Sequence, residues 1–253
     1  MGQKTNPISN RLGLIYGWKS IWNNNYFLNI KEDNEIRNFI NNRYYNRFCI
    51  STILIERIRK KIIISICTSK PAIVIGKKGK EVDFLRVEIK KIIKNNLKER
   101  NFLNKKKKYE NIVNIFINIL DIFKPELDSL LVAKNISRQI INRISYKKAI
   151  KYAIISAIKM KAKGIKIQIS GRLNGAEMAR REIYKKGIIK LSTFRSNIDY
   201  GFDEAKTNYG KIGIKVWIMK GVIYNKNKDL SNFYNNFLKI KKKDNLKFFV
   251  KKK

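Results

Sequence analysis

Hydrophobic and polar positions change period several times along the chain, and each change marks an element. Between residues 27 and 43, Phe27, Ile36, Phe39 and Ile40 suit a first helix. Two strands follow. Ile53 and Ile55 alternate within 49–57, and Ile62, Ile64 and Ile66 share one face of 61–68. The link Ile58-Arg59-Lys60 fits a hairpin, and Lys70-Pro71 ends the second strand. Pro71 to Ile75 predicts a short helix. Val82, Leu85, Ile89, Ile92 and Ile93 then mark one face of a longer helix that ends near Asn96. A Lys-rich interruption covers 101–109, and 112–119 predicts a third strand.

Lys124-Pro125-Glu126 punctuates the pattern, and two helices follow. Leu127, Leu130, Leu131, Ile136, Ile140, Ile141 and Ile144 form the apolar side of one. Ala149, Ile150, Ala153, Ile154, Ala157 and Ile158 form that of the other. No glycine lies between Gly79 and Gly164, which suits helices. The period then changes to two. Ile165, Ile167 and Ile169 alternate with Lys166, Gln168 and Ser170, and Ile212, Ile214, Val216 and Ile218 repeat the alternation. The pattern divides the chain into an irregular basic arm (1–26), a first domain (27–122), a second α/β domain (124–222) and a tail (223–253). The tail is rich in Lys and Asn and predicts a solvated, flexible extension, with an amphipathic helix near 230–238 as the alternative.

Charge narrows the partner. The 253 residues hold 57 Lys+Arg against 19 Asp+Glu, a formal net charge of +38. Self-repulsion of that size disfavours a compact state and implies a polyanionic partner, of which a phosphate backbone is the commonest. Drift toward Lys, Asn and Ile explains the excess of Lys over Arg, but not the scarcity of acids. The chain has no histidine, so the usual general base and commonest transition-metal ligand are missing. Cys49 and Cys67 cannot complete a four-ligand Cys/His zinc site, and free half-buried thiols are expected rather than a disulfide. No cofactor is implied. No apolar run approaches the roughly 18 residues needed to span a membrane, so no membrane partner is expected.

The most specific local feature is Val74-Ile75-Gly76-Lys77-Lys78-Gly79. Gly76 and Gly79 let a backbone come close to a sugar-phosphate chain, and Lys77 and Lys78 supply charge there. Such a Gly-x-x-Gly loop between an apolar run and an amphipathic helix is how a KH domain clamps single-stranded nucleic acid. The order helix, strand, strand, short helix, loop, helix, strand matches a type II KH domain over 27–122. In the arm, Lys4, Arg11 and Lys19 are interleaved with Tyr16, Trp18 and Trp22. That mixture fits either an RNA-contacting arm or a strap whose aromatic residues pack on the core. Arg172, Arg180 and Arg181 surround a turn carrying Gly171 and Gly175, and such a turn can lie flat on a phosphate chain. Lys147, Lys148 and Lys151 share one helix face, opposite Ile150 and Ile154. By spacing alone that face is an ordinary solvated one or a binding one.

Longer motifs carry a resemblance. They are Met1-Gly2-Gln3-Lys4-Thr5-Asn6-Pro7 with Arg11-Leu12-Gly13, the Gly-x-x-Gly segment, Lys124-Pro125-Glu126-Leu127, and Ala162-Lys163-Gly164-Ile165-Lys166. Ser170-Gly171-Arg172-Leu173-Asn174-Gly175-Ala176-Glu177-Met178-Ala179-Arg180 and the stretch from Tyr209-Gly210 to Trp217 complete them. In this order, to about Val222, the chain resembles the bacterial form of the third protein of the small ribosomal subunit, the S-three family. The resemblance implies an α+β protein: a basic arm, a type II KH domain, a C-terminal α/β domain, and here a basic tail. It implies a cytoplasmic protein in the head of the small subunit, bound to small-subunit rRNA through residues such as Lys4, Arg11, Arg172, Arg180 and Arg181. It further implies neighbouring ribosomal proteins as partners and a place lining the tunnel by which mRNA enters. The family's mRNA-contacting basic residues match Lys147, Lys148 and Lys151, which would support threading and helix opening.

This chain departs from the family pattern in three places. The basic pair is commonly Arg-Arg and here is Lys147-Lys148, which keeps charge but loses a planar bidentate fork. The stretch 97–111 is longer than usual and carries Lys105 to Lys108. The tail beyond Val222 has no matching motif. Two other functions compete. A free KH-type RNA chaperone would give the arm and second domain no reason to match throughout. A metal-dependent phosphodiesterase would need convergent carboxylates, and Asp121, Glu126 and Asp128 are the only tight acidic group outside helix surfaces. The expected protein is therefore an RNA-binding structural component with no catalytic residues.

Overall fold

The structure, a computed structural model, describes residues 4–22, 26–47, 49–58, 61–103 and 114–224. The expected tail from residue 225, the helix at 230–238 and the Lys105 to Lys108 run lie outside the described residues, as does the link at Arg59 and Lys60.

The first domain is a four-stranded sheet ordered β1-β2-β3-β4, formed by Ser20–Ile21, Ile50–Ile58, Lys61–Thr68 and Asn114–Asp121. The β2 and β3 strands pair antiparallel as expected for a hairpin, with Ile58 opposite Lys61. The β3 and β4 strands are parallel, so the chain crosses between them through α2 (Pro71–Ile75) and α3 (Lys80–Leu103). The α1 helix (Tyr26–Arg43) packs with α3. Ile36, Ile40, Ile55, Ile64, Ile66, Leu85 and Ile89 are fully buried between these layers. β-Branched isoleucine suits the pleated strands, and its recurrence every third or fourth residue suits the helix faces.

Two expectations change here. Phe27 is 75% exposed. It precedes Ile36 by nine residues, which at about 3.6 residues per turn places it half a turn away from the buried face. The α3 helix also continues past Asn96 to Leu103, which takes in the first three residues of the stretch expected to interrupt it.

The second domain has two helices, α4 (Ser129–Ile141) and α5 (Tyr146–Lys159), on one face of a sheet ordered β6-β5-β8-β7. Its strands are β5 (Gly164–Gly171), β6 (Arg180–Gly187), β7 (Ser196–Thr207) and β8 (Gly210–Val222), and every pairing is antiparallel. Ile165, Ile167, Ile169, Ile214, Val216 and Ile218 form the inner face against Ile136, Ala149, Ile150, Ala153 and Ala157. Gly201 of β7 lies so close to α4 that a Cβ there would be 2.5 Å from the backbone carbon of Ser129.

The N-terminal segment is a strap. Ser20 and Ile21 extend the first sheet beside Ile55 and Glu56. Upstream, Pro7, Arg11 and Ile15 are buried. Arg11 is wholly enclosed: Nε donates to the Ser196 carbonyl at 2.8 Å, Nη1 to Pro7 at 2.9 Å, and Nη2 to Leu191 and Thr193 at 2.9 and 3.0 Å. Contrary to expectation, Arg11 therefore cannot be an rRNA contact. Its guanidinium serves one carbonyl of the strap and three of the second domain. Tyr16 Oη donates to Asn197 Oδ1 at 2.8 Å, and Trp22 Nε1 donates to Asp33 at 3.3 Å, so these aromatic residues belong to the strap.

Candidate RNA-binding surfaces

The Gly-x-x-Gly loop is built by a sharp backbone reversal. Pro71 opens α2 with a fixed φ and no N–H to leave unpaired. Gly76 ends the helix at φ 71°, ψ 179°, a conformation reached almost only by glycine, and its N–H donates to Ala72 at 3.0 Å. A 3-10 turn, Lys77–Gly79, leads directly into α3. Lys78 sits in the left-handed region at φ 54°, and Gly79 at φ 77°. Both loop lysines are exposed.

The loop borders an open, shallow groove lined by Arg47, Ala72, Ile73, Gly76, Lys77, Lys80 and Glu81. Ala72 and Ile73 contribute apolar surface to it, and Arg47, Lys77 and Lys80 contribute positive charge. Arg43 bonds Glu81 at 2.7 Å and stacks over Phe84 at 4.2 Å. That hydrogen bond holds the Glu81 carboxyl below its usual range, so the one acid at the groove is already neutralised. Arg47 and Lys80 carry no mark in the sequence that assigns them to the groove. Lys80 adjoins the motif, whereas Arg47 arrives from 29 residues before Gly76 with no local signal.

Lys147, Lys148 and Lys151 are all exposed, in the first two turns of α5. No acid occupies the first turn, and the Ser145 side chain makes no cap bond. Lysines here oppose the helix macrodipole, which favours negative charge at this end. Among the described residues none of the three has an ion-pair partner. The nearby Glu182 is engaged by Arg180 Nε at 3.0 Å and accepts from Tyr184 at 2.7 Å and Tyr146 at 3.1 Å. Those tyrosine hydrogen bonds keep its carboxyl below the usual range. Arg180 Nη2 donates to Tyr146 Oη at 3.1 Å, which ties the start of β6 to the start of α5.

The three arginines of the 171–181 segment separate. Arg172 Nε donates to the Ala176 carbonyl at 2.9 Å and its guanidinium stands 5.8 Å from the Tyr209 ring centroid, bracing the turn. Arg180 joins the α5 lysines, and Arg181 faces the other side of the sheet. Lys4 is exposed on the strap beside Lys166.

The acidic trio does not converge. Asp128 caps α4, accepting from the Leu130 and Leu131 N–H groups at 3.0 and 3.1 Å, while its other oxygen accepts from Ser51 of the first domain. Among the described residues no group of three His, Cys, Asp or Glu side chains is placed to hold a metal. Cys49 and Cys67 are buried free thiols.

Known families match along the chain. The KH domain profile covers residues 35–127, and that of the ribosomal protein S3 C-terminal domain covers 136–218. A small ribosomal subunit protein uS3 from Karelsulcia muelleri is 54% identical over 96% of this chain and 98% of its own length. The proteins of the same name from Flavobacterium johnsoniae and Bacteroides thetaiotaomicron are 50% and 47% identical over 91% and 92% of this chain and 84% and 89% of their own.

Proposed function

The chain belongs to the small ribosomal subunit protein uS3 family, a non-enzymatic structural component of the ribosome working in the bacterial cytoplasm, and from that premise we propose that it guides mRNA through the lysines of α5. As a family member it binds rRNA and neighbouring ribosomal proteins within the small subunit.

The observation that carries the mRNA role is the cluster of exposed lysines at the start of α5, none of which has a salt-bridge partner among the described residues. Lys147, Lys148 and Lys151 stand exposed where helix stability alone would favour acids. Unfilled backbone N–H groups at the same end add to the attraction for phosphate. Held against an incoming strand, these lysines favour its single-stranded form at the entrance and resist re-pairing just ahead of the ribosome. The KH groove and the region of Arg172, Arg180 and Arg181 supply further contacts to rRNA in this proposal.

The test is the triple change of Lys147, Lys148 and Lys151 to Ala in reconstituted small subunits. Folding should shift by no more than about 0.5 kcal/mol, as for other exposed positions. Translation should slow on a message with a stable downstream hairpin and not on an unstructured one. Equal rates relative to the parent protein on both messages remove the guiding role, and failure to assemble makes these lysines rRNA anchors.

A further inference from the structure

The two faces of the C-terminal sheet differ. The inner face is covered by α4 and α5, and its residues form the buried cluster. Register aligns the outer face in rows across β7, β8, β5 and β6. One row reads Tyr200, Trp217, Lys166, Lys185, the next Phe202, Lys215, Gln168, Ile183, and the third Glu204, Gly213, Ser170, Arg181. The strap docks at the end where Ile198 and Met219 are buried, beside the bonds of Arg11 and Tyr16, and brings Lys4 near Lys166. Below that end Phe202 remains 44% and Ile183 49% exposed.

We propose that this outer face is an RNA-binding platform for unpaired nucleotides, with bases stacking on Tyr200, Phe202 and Trp217 and phosphates held by Lys166, Lys185 and Arg181. The aromatic side chains occupy neighbouring rows of this face. The Tyr200 and Trp217 rings lie 5.4 Å apart at 42°, and the Phe202 ring leans over Gly213, whose missing side chain leaves it room. Such a surface accepts any base, because every base has a π face, while adjacent cations follow the backbone. Gln168 and Ser170 sit among them with donors and acceptors for base edges.

Charge selects RNA over a protein partner. Glu204 is the one acid in the three rows, and it is bonded to Lys211 at 3.1 Å. Lys166 approaches the Trp217 ring at 5.0 Å. Burial, and then the charges of Lys4, Arg181 and Lys185, make Lys166 easier to deprotonate than usual. Four cations thus converge from the strap, β5 and β6, and repel one another until an anion joins them. A sheet face built to receive another protein would be apolar or of mixed charge at this density.

The platform shares Arg181 with the rRNA contacts proposed above but uses none of the mRNA-guiding lysines, so the guiding role and the platform fail separately. The first test uses the full chain and a labelled short oligouridylate. Phe202→Ala with Lys185→Ala should weaken binding about tenfold, the loss of roughly one stacked base. Both side chains are exposed, and thermal unfolding checks that the fold persists. Phe202→Trp should keep the affinity, which a purely structural role for the ring would not require. Unchanged affinity in the double variant overturns the platform. The second test places a photoreactive benzoylphenylalanine at position 202 in assembled subunits. Adducts to RNA support the proposal, whereas adducts to protein alone, or none, overturn it.

Discussion

Arg11 and Ser196, 185 residues apart in sequence, are joined by a 2.8 Å hydrogen bond from the guanidinium Nε to the backbone carbonyl. With the carbonyls of Pro7, Leu191 and Thr193, it fixes the strap to the loop that begins β7. The same strap then adds Ser20–Ile21 to the sheet of the first domain, so one N-terminal segment holds both domains.

Arg11→Ala should lower stability to urea by about 3 kcal/mol or more, since it strips buried carbonyls of charged donors. Arg11→Lys should recover little, because a lysine lacks the planar fork that reaches several carbonyls at once. The salt dependence of RNA binding should stay as in the parent protein. An Arg11→Ala protein of unchanged stability would remove the strap role.

Burial, and next the charge of Asp199, push the Asp128 carboxyl above the ordinary aspartate range, while its bonds to Ser51 and the Leu131 N–H pull it down. A carboxyl harder to ionise in the folded chain than in the unfolded one favours folding while protonated. Its contribution is therefore full below the ordinary aspartate value and lost as pH rises through the raised folded value. Asp128→Asn keeps an oxygen for the α4 cap and cannot ionise. Relative to this variant, the wild type should lose stability as pH climbs above the ordinary aspartate value of about 4. Paired urea titrations measure the difference, and a flat difference would exclude a destabilising charge at the domain junction.

Gly201→Ala should destabilise by about 3 kcal/mol, the upper part of the usual overpacking range. The new Cβ would meet backbone atoms of Ser129 and Leu130 at 2.5 and 2.6 Å, and a helix backbone cannot swing aside as a side chain can. Gly221→Ala is the control, as nothing lies within 4 Å of its Cβ position. Calorimetry on both variants separates close approach from a general intolerance of alanine in these strands.

Elements with one apolar face were legible. Ile62, Ile64 and Ile66 alternate because one side of β3 meets helices, and Leu85, Ile89 and Ile93 recur because one side of α3 meets that sheet. The β6 and β7 strands escaped, and their chemistry explains why. β6 is an edge strand reading Arg-Arg-Glu-Ile-Tyr-Lys-Lys-Gly, mostly exposed, with charges that discourage pairing to another chain. β7 carries Gly201 where an alternating apolar residue would stand, because α4 needs the space. Of the candidate surfaces, the Gly-x-x-Gly loop stood out as a contiguous motif, whereas Lys147, Lys148 and Lys151 are singled out by the family resemblance, their spacing alone fitting a solvated face equally well. The burial of Arg11, the arrival of Arg47 at the groove and the division of Arg180 from Arg181 depend on partners far along the chain, and no local spacing encodes them.

The KH loop gives the final prediction. The side chains of Lys77 and Lys78 are exposed, and the turn is shaped by backbone bonds such as Lys80 N–H to the Lys77 carbonyl, so Lys77→Asp with Lys78→Asp should leave the fold intact. Lys78 lies at φ 54°, where aspartate is better tolerated than most residues. The pair would turn a cationic groove into one that repels a sugar-phosphate backbone, leaving only Arg47 and Lys80 as its cations. The full chain should bind a short single-stranded oligonucleotide more weakly. Its log-log salt slope should also become shallower, by about 0.7 for each phosphate of the single strand that is no longer neutralised. Filter binding across a salt series measures both quantities. Weaker binding with an unchanged slope would mean that the loop acts by shape rather than charge, and an unchanged affinity in the folded double variant would make this KH surface structural.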